Sequence, residues 1–181
     1  MADFRIETEP DRLLRDHLHL FTSVLKQHAI LDLACGGGHN GIFLAKKGFP
    51  VVFADRAEEA LEQVRDRLAA EGMAATLWHV DLEMKDVGLF SSRTFSAVLV
   101  FRYLHRPLIP AIRQALMPGG ILAYETFTTD QARFGKPKNP AHLLKPGELF
   151  SWFRDWEVLY AFEGITGEPQ KAIAQLVCRK P

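Results

Sequence analysis

A short apolar run that ends in three consecutive glycines is the feature that most constrains this chain. Residues 29–34 are almost wholly apolar, and Gly36, Gly37 and Gly38 follow within two positions. Glycine has no Cβ, so the backbone can turn tightly there and come close to a ligand. The pattern predicts a buried strand that stops at a glycine turn and leads into a helix.

The rest of the chain alternates between apolar runs and helical patterns. Further strands are predicted at 51–54, 74–80, 95–101 and 121–125, and helices are predicted at 40–47, 57–70 and 108–117. This alternation predicts an α/β fold, a Rossmann-like three-layer sandwich built on a mostly parallel sheet. The last two runs, 156–162 and 172–178, have only a Gly/Pro-containing turn between them. Strands joined in this way are predicted to form an antiparallel pair.

Two segments depart from the alternation, although a length of 181 residues predicts one domain over 1–181. The N-terminal segment 1–28 repeats apolar residues at helical spacing from Leu13 to Leu25, which predicts an amphipathic helix. The segment 126–146 is polar and rich in Gly, Pro, Lys and Asn, which predicts a long loop on the substrate side. A loop of this length in a compact domain is usually functional or mobile.

Charge and cysteine usage narrow the classes of function. The 22 basic residues balance the 22 acidic ones, which gives no support for a nucleic-acid or membrane partner and leaves a small-molecule substrate as the expectation. Cys35 and Cys178 lack the spacing of a disulfide framework, which favours a reducing, cytoplasmic location. No spaced His/Cys cluster is present, so no metal is predicted. We expect a monomer or a homodimer.

Acidic residues stand at or beside the ends of four predicted strands, namely Asp32, Asp55, Asp81 and Glu125. In open parallel sheets, ligands bind outside the carboxyl ends of the strands. A buried carboxylate is costly without hydrogen-bond donors, and a ligand can supply them. Asp55 is placed to accept from the hydroxyls of a ribose, and Asp81 from an adenine amino group.

Other interpretations of the glycine turn predict different functions. Gly36, Gly38 and Gly41 satisfy the pattern G-x-G-x-x-G, so an NAD(P)-dependent oxidoreductase is one alternative. A non-catalytic nucleotide-binding regulator on the same fold is a second, and a corner whose acids only cap helices is a third. Two features count against a dinucleotide: Asp32 precedes the glycines on the strand itself, and the chain is short for a complete dinucleotide fold.

Four stretches of the sequence resemble class I S-adenosylmethionine-dependent methyltransferases. They are ILDLACGGGHN, FADRAEEAL, HVDLE and MPGGILAYE, and together they extend over most of the chain. Within that class, DLACGGGHNGIFLAKKGFPVVFADR and LKPGELFSWFRDWEV are similar to the tellurite-resistance methyltransferases. The resemblance implies a seven-stranded sheet, S-adenosyl-L-methionine as cofactor, and methyl transfer by in-line displacement to a small-molecule acceptor.

The resemblance also implies which residues contact the cofactor. Residues of the glycine turn are expected near its methionine end, and residues at the next two strand ends are expected around its ribose and adenine. The predicted set is Asp32, Ala34, Gly36, Gly38, Asn40, Asp55, Arg56, Asp81, Leu82 and Phe101. Phe101 would lie beneath the sulfonium, and Ala34 stands where the family usually has glycine.

The acceptor is predicted to bind beside the end of the fourth strand and under the long loop. Arg102, Tyr103 and His105 are the catalytic candidates, because they follow that strand. Arg102 would orient an anionic acceptor, whereas Tyr103 or His105 would contact the nucleophile. The candidate substrate-binding residues are Glu125, Arg133, Phe134 and His142, on a loop expected to close over the substrate. The alternatives are a solvated turn that begins a helix and a surface loop without a ligand.

Overall fold

A mixed sheet of seven strands forms the centre of the protein in the computed structural model, which describes residues 9–22, 28–84, 90 and 93–181. The strands are β1 (Ile30–Leu33), β2 (Val51–Asp55), β3 (Thr76–His79), β4 (Phe95–Phe101), β5 (Leu116–Phe127), β6 (Glu157–Thr166) and β7 (Lys171–Arg179). The α-helices are α1 (Arg12–Asp16), α2 (Leu18–Phe21), α3 (His39–Ala45), α4 (Glu58–Ala69), α5 (Ile109–Ala115) and α6 (Glu148–Trp152). No helix within these ranges is both long and apolar enough to cross a membrane.

The strand order, β3-β2-β1-β4-β5-β7-β6, reverses at β1. β1 pairs in parallel with β2 on one side and with β4 on the other. Open α/β sheets bind ligands at this reversal, beyond the carboxyl ends of the strands. β7 runs antiparallel to both β5 and β6. The predicted α/β fold and its antiparallel C-terminal strand pair are therefore confirmed.

Helices cover both faces of the sheet, which makes three layers. Every residue of β4 is buried, as expected for a parallel strand that is packed on both faces. Val98 and Val100 pack in a core with α5 and α6, whereas Ala97 and Leu99 pack in a second core with α1, α3 and α4. The alternation follows from the two-residue period of a strand.

The glycine turn packs directly against its neighbours. Gly36 and Gly38 have φ of 50° and 70°, in the left-handed region that glycine tolerates best. A Cβ at Gly38 would lie 2.5 Å from Val64 Cγ2, and one at Gly41 would lie 2.4 Å from the Phe53 ring. Two of the glycines are therefore required for close packing of the turn and α3 on β2 and α4.

The N-terminal segment differs from the single amphipathic helix that its periodicity predicts. α1 and α2 are separate short helices that meet at His17, whose φ and ψ of −111° and 17° are not helical. The His17 ring donates from Nδ1 to the carbonyl of Leu13 at 2.9 Å, in place of a regular backbone donor. Leu25, the last residue of the predicted pattern, lies outside the described residues.

The segment 126–146 also differs from the predicted loop. β5 continues to Phe127, and two 3-10 helices follow, at Thr129–Arg133 and Pro140–His142. Thr128 and Leu144 then form an isolated parallel bridge. These elements give hydrogen-bond partners to backbone groups that would otherwise be unpaired against the core.

Candidate functional site

A cavity of about 880 Å³ opens where the carboxyl ends of the parallel strands meet. Its strand-end wall follows β1, β2 and β3 and includes Ala34, Asp55 and Asp81. Its loop wall follows β5 and includes Phe127 and the segment 136–142. Residues directly after β4, which lies between β1 and β5 in the sheet, complete the lining. The volume is typical of a small-molecule or cofactor site.

Asp55 presents carboxylate oxygens to this cavity while it holds the glycine turn. Its Oδ2 accepts from the backbone N–H of Gly36 at 2.8 Å, and its Oδ1 accepts from that of Ala57 at 2.9 Å. A carboxylate has about four acceptor positions, so both oxygens keep capacity for a ligand. A Cβ at Gly36 would meet no atom within 4 Å. The backbone beside Asp55 therefore borders open space.

The next part of the strand-end wall combines exposed charge with a buried hydroxyl. Arg56, Asp81 and Glu83 are exposed around Leu82, which is buried. Tyr103 lines the same cavity, and its hydroxyl is buried without a hydrogen-bond partner among the described residues. Burial raises the pKa of Tyr103, so the phenol is protonated at neutral pH. An unpaired buried hydroxyl is costly, and a ligand in the cavity would satisfy it.

A single arginine holds much of the loop wall in place. Arg106 donates to both carboxylate oxygens of Glu148, at 2.7 and 2.8 Å. The same guanidinium donates to the carbonyls of Ala141 and Leu143, at 2.9 and 2.8 Å. The hydrogen bond from Arg106 lowers the pKa of Glu148. We call this arrangement the Arg106 clamp, and it fixes the segment that carries His142.

A buried glutamine anchors the other end of the loop wall. Gln131 Oε1 accepts from the backbone N–H of Ala172 in β7 at 2.8 Å, and its Nε2 donates to the carbonyl of Lys136 at 3.2 Å. Gln131 is 5% exposed, so its amide is shielded from competing water. The two anchors show a loop wall that is tied to the body of the protein at both ends.

Asp11 ties the N-terminal segment to the glycine turn and to the end of β4. Its Oδ1 accepts from Arg102 Nη2 at 2.6 Å, and its Oδ2 accepts from Asn40 Nδ2 at 2.9 Å. His39 Nε2 lies 2.9 Å from the same Oδ2. Burial acts to raise the pKa of Asp11, but these partners outweigh it and lower the pKa to about 2. The carboxylate is therefore ionised throughout the physiological pH range.

Arg102 reaches Asp11 from an unfavourable backbone conformation. Its φ of 56° lies in the left-handed region, which costs a non-glycine residue about 1 kcal/mol. Such strain persists only where the surroundings impose it, and it is common at functional sites. Arg102 also lines the large cavity, so the strained turn lies at the site.

Asp32 lies behind the glycine turn rather than in the cavity lining. It is 3% exposed, and its Oδ2 accepts from the backbone N–H of Gly41 at 2.8 Å. Burial raises the pKa of Asp32 to about 7, even though this hydrogen bond acts to lower it. Its observed contact is with the first turn of α3. A direct contact with the cofactor stays a prediction.

The structure brings about half of the predicted site residues into the cavity. Those that line it are Ala34, Asp55, Arg56, Asp81, Leu82, Arg102, Tyr103 and His142. Asp32, Gly36, Gly38, Asn40 and Phe101 do not line it and belong to the supporting turn and core. His105, Arg133 and Phe134 do not line it either, and Glu125 lines a different cavity.

Several lining residues were not in the predicted set. They are Val80, Glu83, Leu104, Phe127, Pro137, Lys138 and Asn139, whereas Lys136 belongs to the basic loop that was expected to face the substrate. The basic character of 126–146 was the sequence signal for both lysines, Lys136 and Lys138. The 3-10 helix Thr129–Arg133 turns Arg133 away, and its guanidinium instead lies 5.6 Å from the Phe134 ring centroid.

The residues present fit a nucleoside cofactor. Asp55 keeps acceptor capacity beside an open backbone cradle at Gly36, and Tyr103 offers a buried, unsatisfied hydroxyl. Ala34, with φ of 54°, continues the left-handed backbone of the turn without a large side chain. Among the described residues, no group of three His, Cys, Asp or Glu side chains is arranged to hold a metal ion.

Fold and cavity together define an α/β protein with a cavity suited to a nucleoside-type cofactor at the strand-order reversal of its sheet. Residues 30–120, half of the chain, match the model of a family described as the methyltransferase domain. The chain belongs to this family, within the class I S-adenosylmethionine-dependent methyltransferases. S-adenosyl-L-methionine is the cofactor of the class. The match favours this cofactor over a dinucleotide.

Similar proteins agree with the assignment. The chain is 32% identical over 116 residues to the uncharacterized methyltransferase YodH of Bacillus subtilis, covering 62% of this chain and 46% of that protein. It is 29% identical over 171 residues to a ubiquinone biosynthesis O-methyltransferase of Xanthomonas campestris, covering 83% of this chain and 71% of that protein. The chain spans about half of the length of the first curated relatives it matches.

Solved structures share the fold. TehB from Haemophilus influenzae superposes with a TM-score of 0.72 at 19% identity, covering 85% of this chain and 58% of TehB. An S-adenosylmethionine-dependent methyltransferase from Clostridium acetobutylicum gives a TM-score of 0.70 at 13% identity and covers 99% of this chain and 94% of its own. At these identities the likeness concerns the fold alone.

Proposed function

We propose that this protein transfers a methyl group from S-adenosylmethionine to a small anionic acceptor held in the large cavity. The observation that carries the proposal is the composition of the two walls. The strand-end wall presents the carboxylates of Asp55 and Asp81, and the loop wall presents Lys136, Lys138 and His142. One cavity therefore combines a nucleoside-binding wall with a wall suited to an anion.

Residues of the strand-end wall would hold the cofactor. Asp55 has acceptor capacity for the ribose hydroxyls, because each of its oxygens takes one backbone N–H. Leu82 offers an apolar surface next to the exposed carboxylate of Asp81, which suits an adenine ring and its amino group. Bound in this way, the cofactor supplies an activated methyl group on a sulfonium.

Residues of the loop wall would orient the acceptor. Lys136 and Lys138 are exposed on this wall, and neither has an ion-pair partner among the described residues. Arg102, by contrast, is already paired with Asp11. The two lysines and His142 therefore form the cationic surface that an acceptor carboxylate or phosphate would meet first.

The chemistry requires alignment more than proton transfer. Holding two reactants in line contributes several kcal/mol to a displacement. Tyr103 is the candidate to position the accepting atom, because its unpartnered hydroxyl belongs to the cavity lining. Since burial keeps this phenol protonated, it would act as a hydrogen-bond donor rather than as a base. His105 does not line the cavity, which leaves Tyr103 and Arg102 as the proposed catalytic pair.

Calorimetry with S-adenosylhomocysteine and NADH tests the cofactor. We expect S-adenosylhomocysteine to bind and NADH to show no response. Tight binding of NADH without a response to S-adenosylhomocysteine would overturn the proposal in favour of an oxidoreductase. Binding of the sulfur ligand without turnover of any acceptor would favour a regulator.

A methyltransfer assay with matched acceptors tests the anion preference. Each pair consists of a carboxylate and its primary amide, so that only charge differs. We expect kcat/KM for the carboxylate to be about tenfold higher at low salt, and the preference to shrink as salt screens the exposed lysines. Equal rates for both members of each pair would contradict the anionic acceptor and leave the methyltransferase assignment intact.

A further inference from the structure

A second cavity of about 470 Å³ lies between α1 and the three C-terminal strands. Glu125 of β5, Gln175 and Lys171 of β7, and Tyr160 of β6 form its polar side. No residue is shared between its lining and that of the large cavity. Its volume falls within the usual range for small-molecule sites.

The polar side of this second cavity is one connected network across adjacent strands. Tyr160 donates from its hydroxyl to Gln175 Oε1 at 3.2 Å, and Gln175 Nε2 donates to Glu125 Oε2 at 2.6 Å. Lys171 Nζ donates to the other oxygen, Glu125 Oε1, at 3.3 Å. The first contact fixes the orientation of the Gln175 amide, so that its donor points at the carboxylate.

Folding alone does not explain this network. Glu125 is 3% exposed, and burial of a carboxylate costs free energy that an apolar residue of similar volume would not. The inward faces of neighbouring strands are apolar at equivalent positions, as Ala123, Ile173 and Val177 show. A buried carboxylate at the edge of a cavity is therefore better explained by a ligand.

Glu125 and Lys171 both keep hydrogen-bonding capacity toward the cavity. A carboxylate offers about four acceptor positions and an ammonium offers three donors, and the described contacts of this pair use only part of them. The Lys171 side chain is 36% exposed, which leaves its head group accessible. A ligand group that both donates and accepts would satisfy the pair.

Aromatic and apolar side chains form the remaining walls. The His17 and Tyr160 rings are 4.4 Å apart between centroids, and Leu13, Phe162 and Ile173 complete this surface. The charged residues of the lining form two ion pairs, because Arg12 is paired with Asp16 at 3.1 Å and Lys171 is paired with Glu125 at 3.3 Å. The cavity has no excess of either sign with which to attract an ion.

We propose that this second cavity is a ligand site for a neutral aromatic molecule that carries a hydroxyl group. The hydroxyl donates to Glu125 and accepts from Lys171, while the ring packs against Tyr160 and Phe162. A ligand carboxylate would meet the like charge of Glu125 beside the opposite charge of Lys171, and a ligand ammonium would meet the reverse. Either ion would therefore lose its hydration without a net electrostatic gain, unlike a neutral hydroxyl. The proposal stands on this geometry and goes beyond the methyl-transfer site.

Fluorine NMR with three matched probes tests the site. The full chain is saturated with S-adenosylhomocysteine and titrated with 4-fluorobenzyl alcohol, 4-fluorobenzoate or 4-fluorobenzylamine. We expect the alcohol to bind at least about fivefold more tightly than either ion, because only the alcohol satisfies both members of the pair. Equal affinity for all three probes would overturn the proposal, as would binding of the alcohol that is seen only when S-adenosylhomocysteine is left out.

Single substitutions test whether the alcohol probe binds in this second cavity. Glu125→Gln should raise the Kd of the alcohol about tenfold, because a charge-assisted hydrogen bond becomes a neutral one. Glu168→Gln, an exposed carboxylate in the same β6–β7 hairpin, should leave the affinity unchanged. Should Glu125→Gln fail to fold, Phe162→Ala removes one wall and should cost about fivefold. Unchanged affinity in a folded Glu125→Gln or Phe162→Ala protein would overturn the proposal.

Discussion

The two walls of the large cavity are held by different kinds of interaction. The strand-end wall is fixed by the backbone ladders of β1, β2 and β3 and by main-chain donors to Asp32 and Asp55. The loop wall is fixed mainly by two side chains, Arg106 and Gln131, which bind backbone groups of the loop. The strand-end wall, where we propose that the cofactor binds, therefore depends on topology. The loop wall, where we propose that the acceptor binds, depends on a few replaceable residues.

The difference has a consequence for specificity. We expect a change in the strand-end wall to disturb the sheet and the proposed cofactor site together. The loop wall can change its lining residues while the Arg106 clamp and the Gln131 anchor stay in place. We expect substitutions in the loop wall to alter the acceptor without altering the cofactor.

The largest expected effect concerns Asp32 and pH. Its folded pKa of about 7 lies above the usual carboxyl value, so the folded state keeps a proton that the unfolded state loses. The free energy of unfolding should therefore fall between about pH 4 and 7 and level off above, by an amount on the order of 4 kcal/mol. Asp32→Asn should lack this decline in denaturant titrations. A parallel decline in the variant would show that Asp32 is not its source.

Asp55→Ala should produce the next largest effect. It removes the proposed ribose acceptor and leaves the N–H groups of Gly36 and Ala57 without their partner. We expect the Kd of S-adenosylhomocysteine to rise about 100-fold in calorimetry, with a smaller effect on turnover at saturating cofactor. Asp66→Ala, an exposed carboxylate on α4, is the control. Unchanged affinity in Asp55→Ala would show that Asp55 only accepts hydrogen bonds from the backbone and does not bind the cofactor.

Arg106→Ala tests whether the clamp shapes the acceptor side. It should lower the free energy of unfolding by about 2 kcal/mol and raise the acceptor KM, while cofactor affinity stays unchanged. Arg113→Ala is the matched control, because Arg113 makes a similar two-pronged pair with Asp155 and also donates to the Trp152 carbonyl, away from the cavity. The same rise in KM in both variants would refute the special role of Arg106.

The smallest effect is expected for the lysines of the loop wall. Lys136→Ala combined with Lys138→Ala should raise the KM for a carboxylate acceptor about fivefold at low salt. Stability should change little, because both side chains are exposed. The variant should also lose most of the salt dependence of KM seen in steady-state kinetics. A retained salt dependence would assign the anion preference to Arg102 or His142 instead.

Sequence patterns predicted the strand-end wall better than the loop wall for a physical reason. Apolar runs, glycine spacing and acids at strand ends are local signals, and they located β1, β2 and the cavity-lining residues Asp55 and Asp81. The loop wall depends on contacts over long separations, such as Arg106 with Leu143 and Gln131 with Ala172. No local pattern encodes these contacts.

The same lack of local signals explains why the N-terminal segment was predicted as one helix, and why Arg133 and Phe134 were predicted to bind the substrate although they do not line the large cavity. Helical periodicity predicted one helix through Leu18, but the His17 side chain takes a carbonyl that the helix would use. Arg133 and Phe134 carry suitable chemistry, yet the 3-10 turn orients them toward each other. Composition identified a basic loop, and only the folded backbone selects which of its cations face the cavity.

The carboxylate of Asp11 competes with any incoming anion for the guanidinium of Arg102. This carboxylate already occupies the guanidinium of Arg102 at 2.6 Å, so an acceptor that seeks this arginine must displace a group that the chain itself supplies. We expect a weakly charged molecule to lose that competition, and a phosphate or a well-aligned carboxylate to win it with help from Lys136 and Lys138, which line the same cavity. Under the proposed function, Asp11 would therefore favour strongly charged acceptors over weakly charged ones at Arg102.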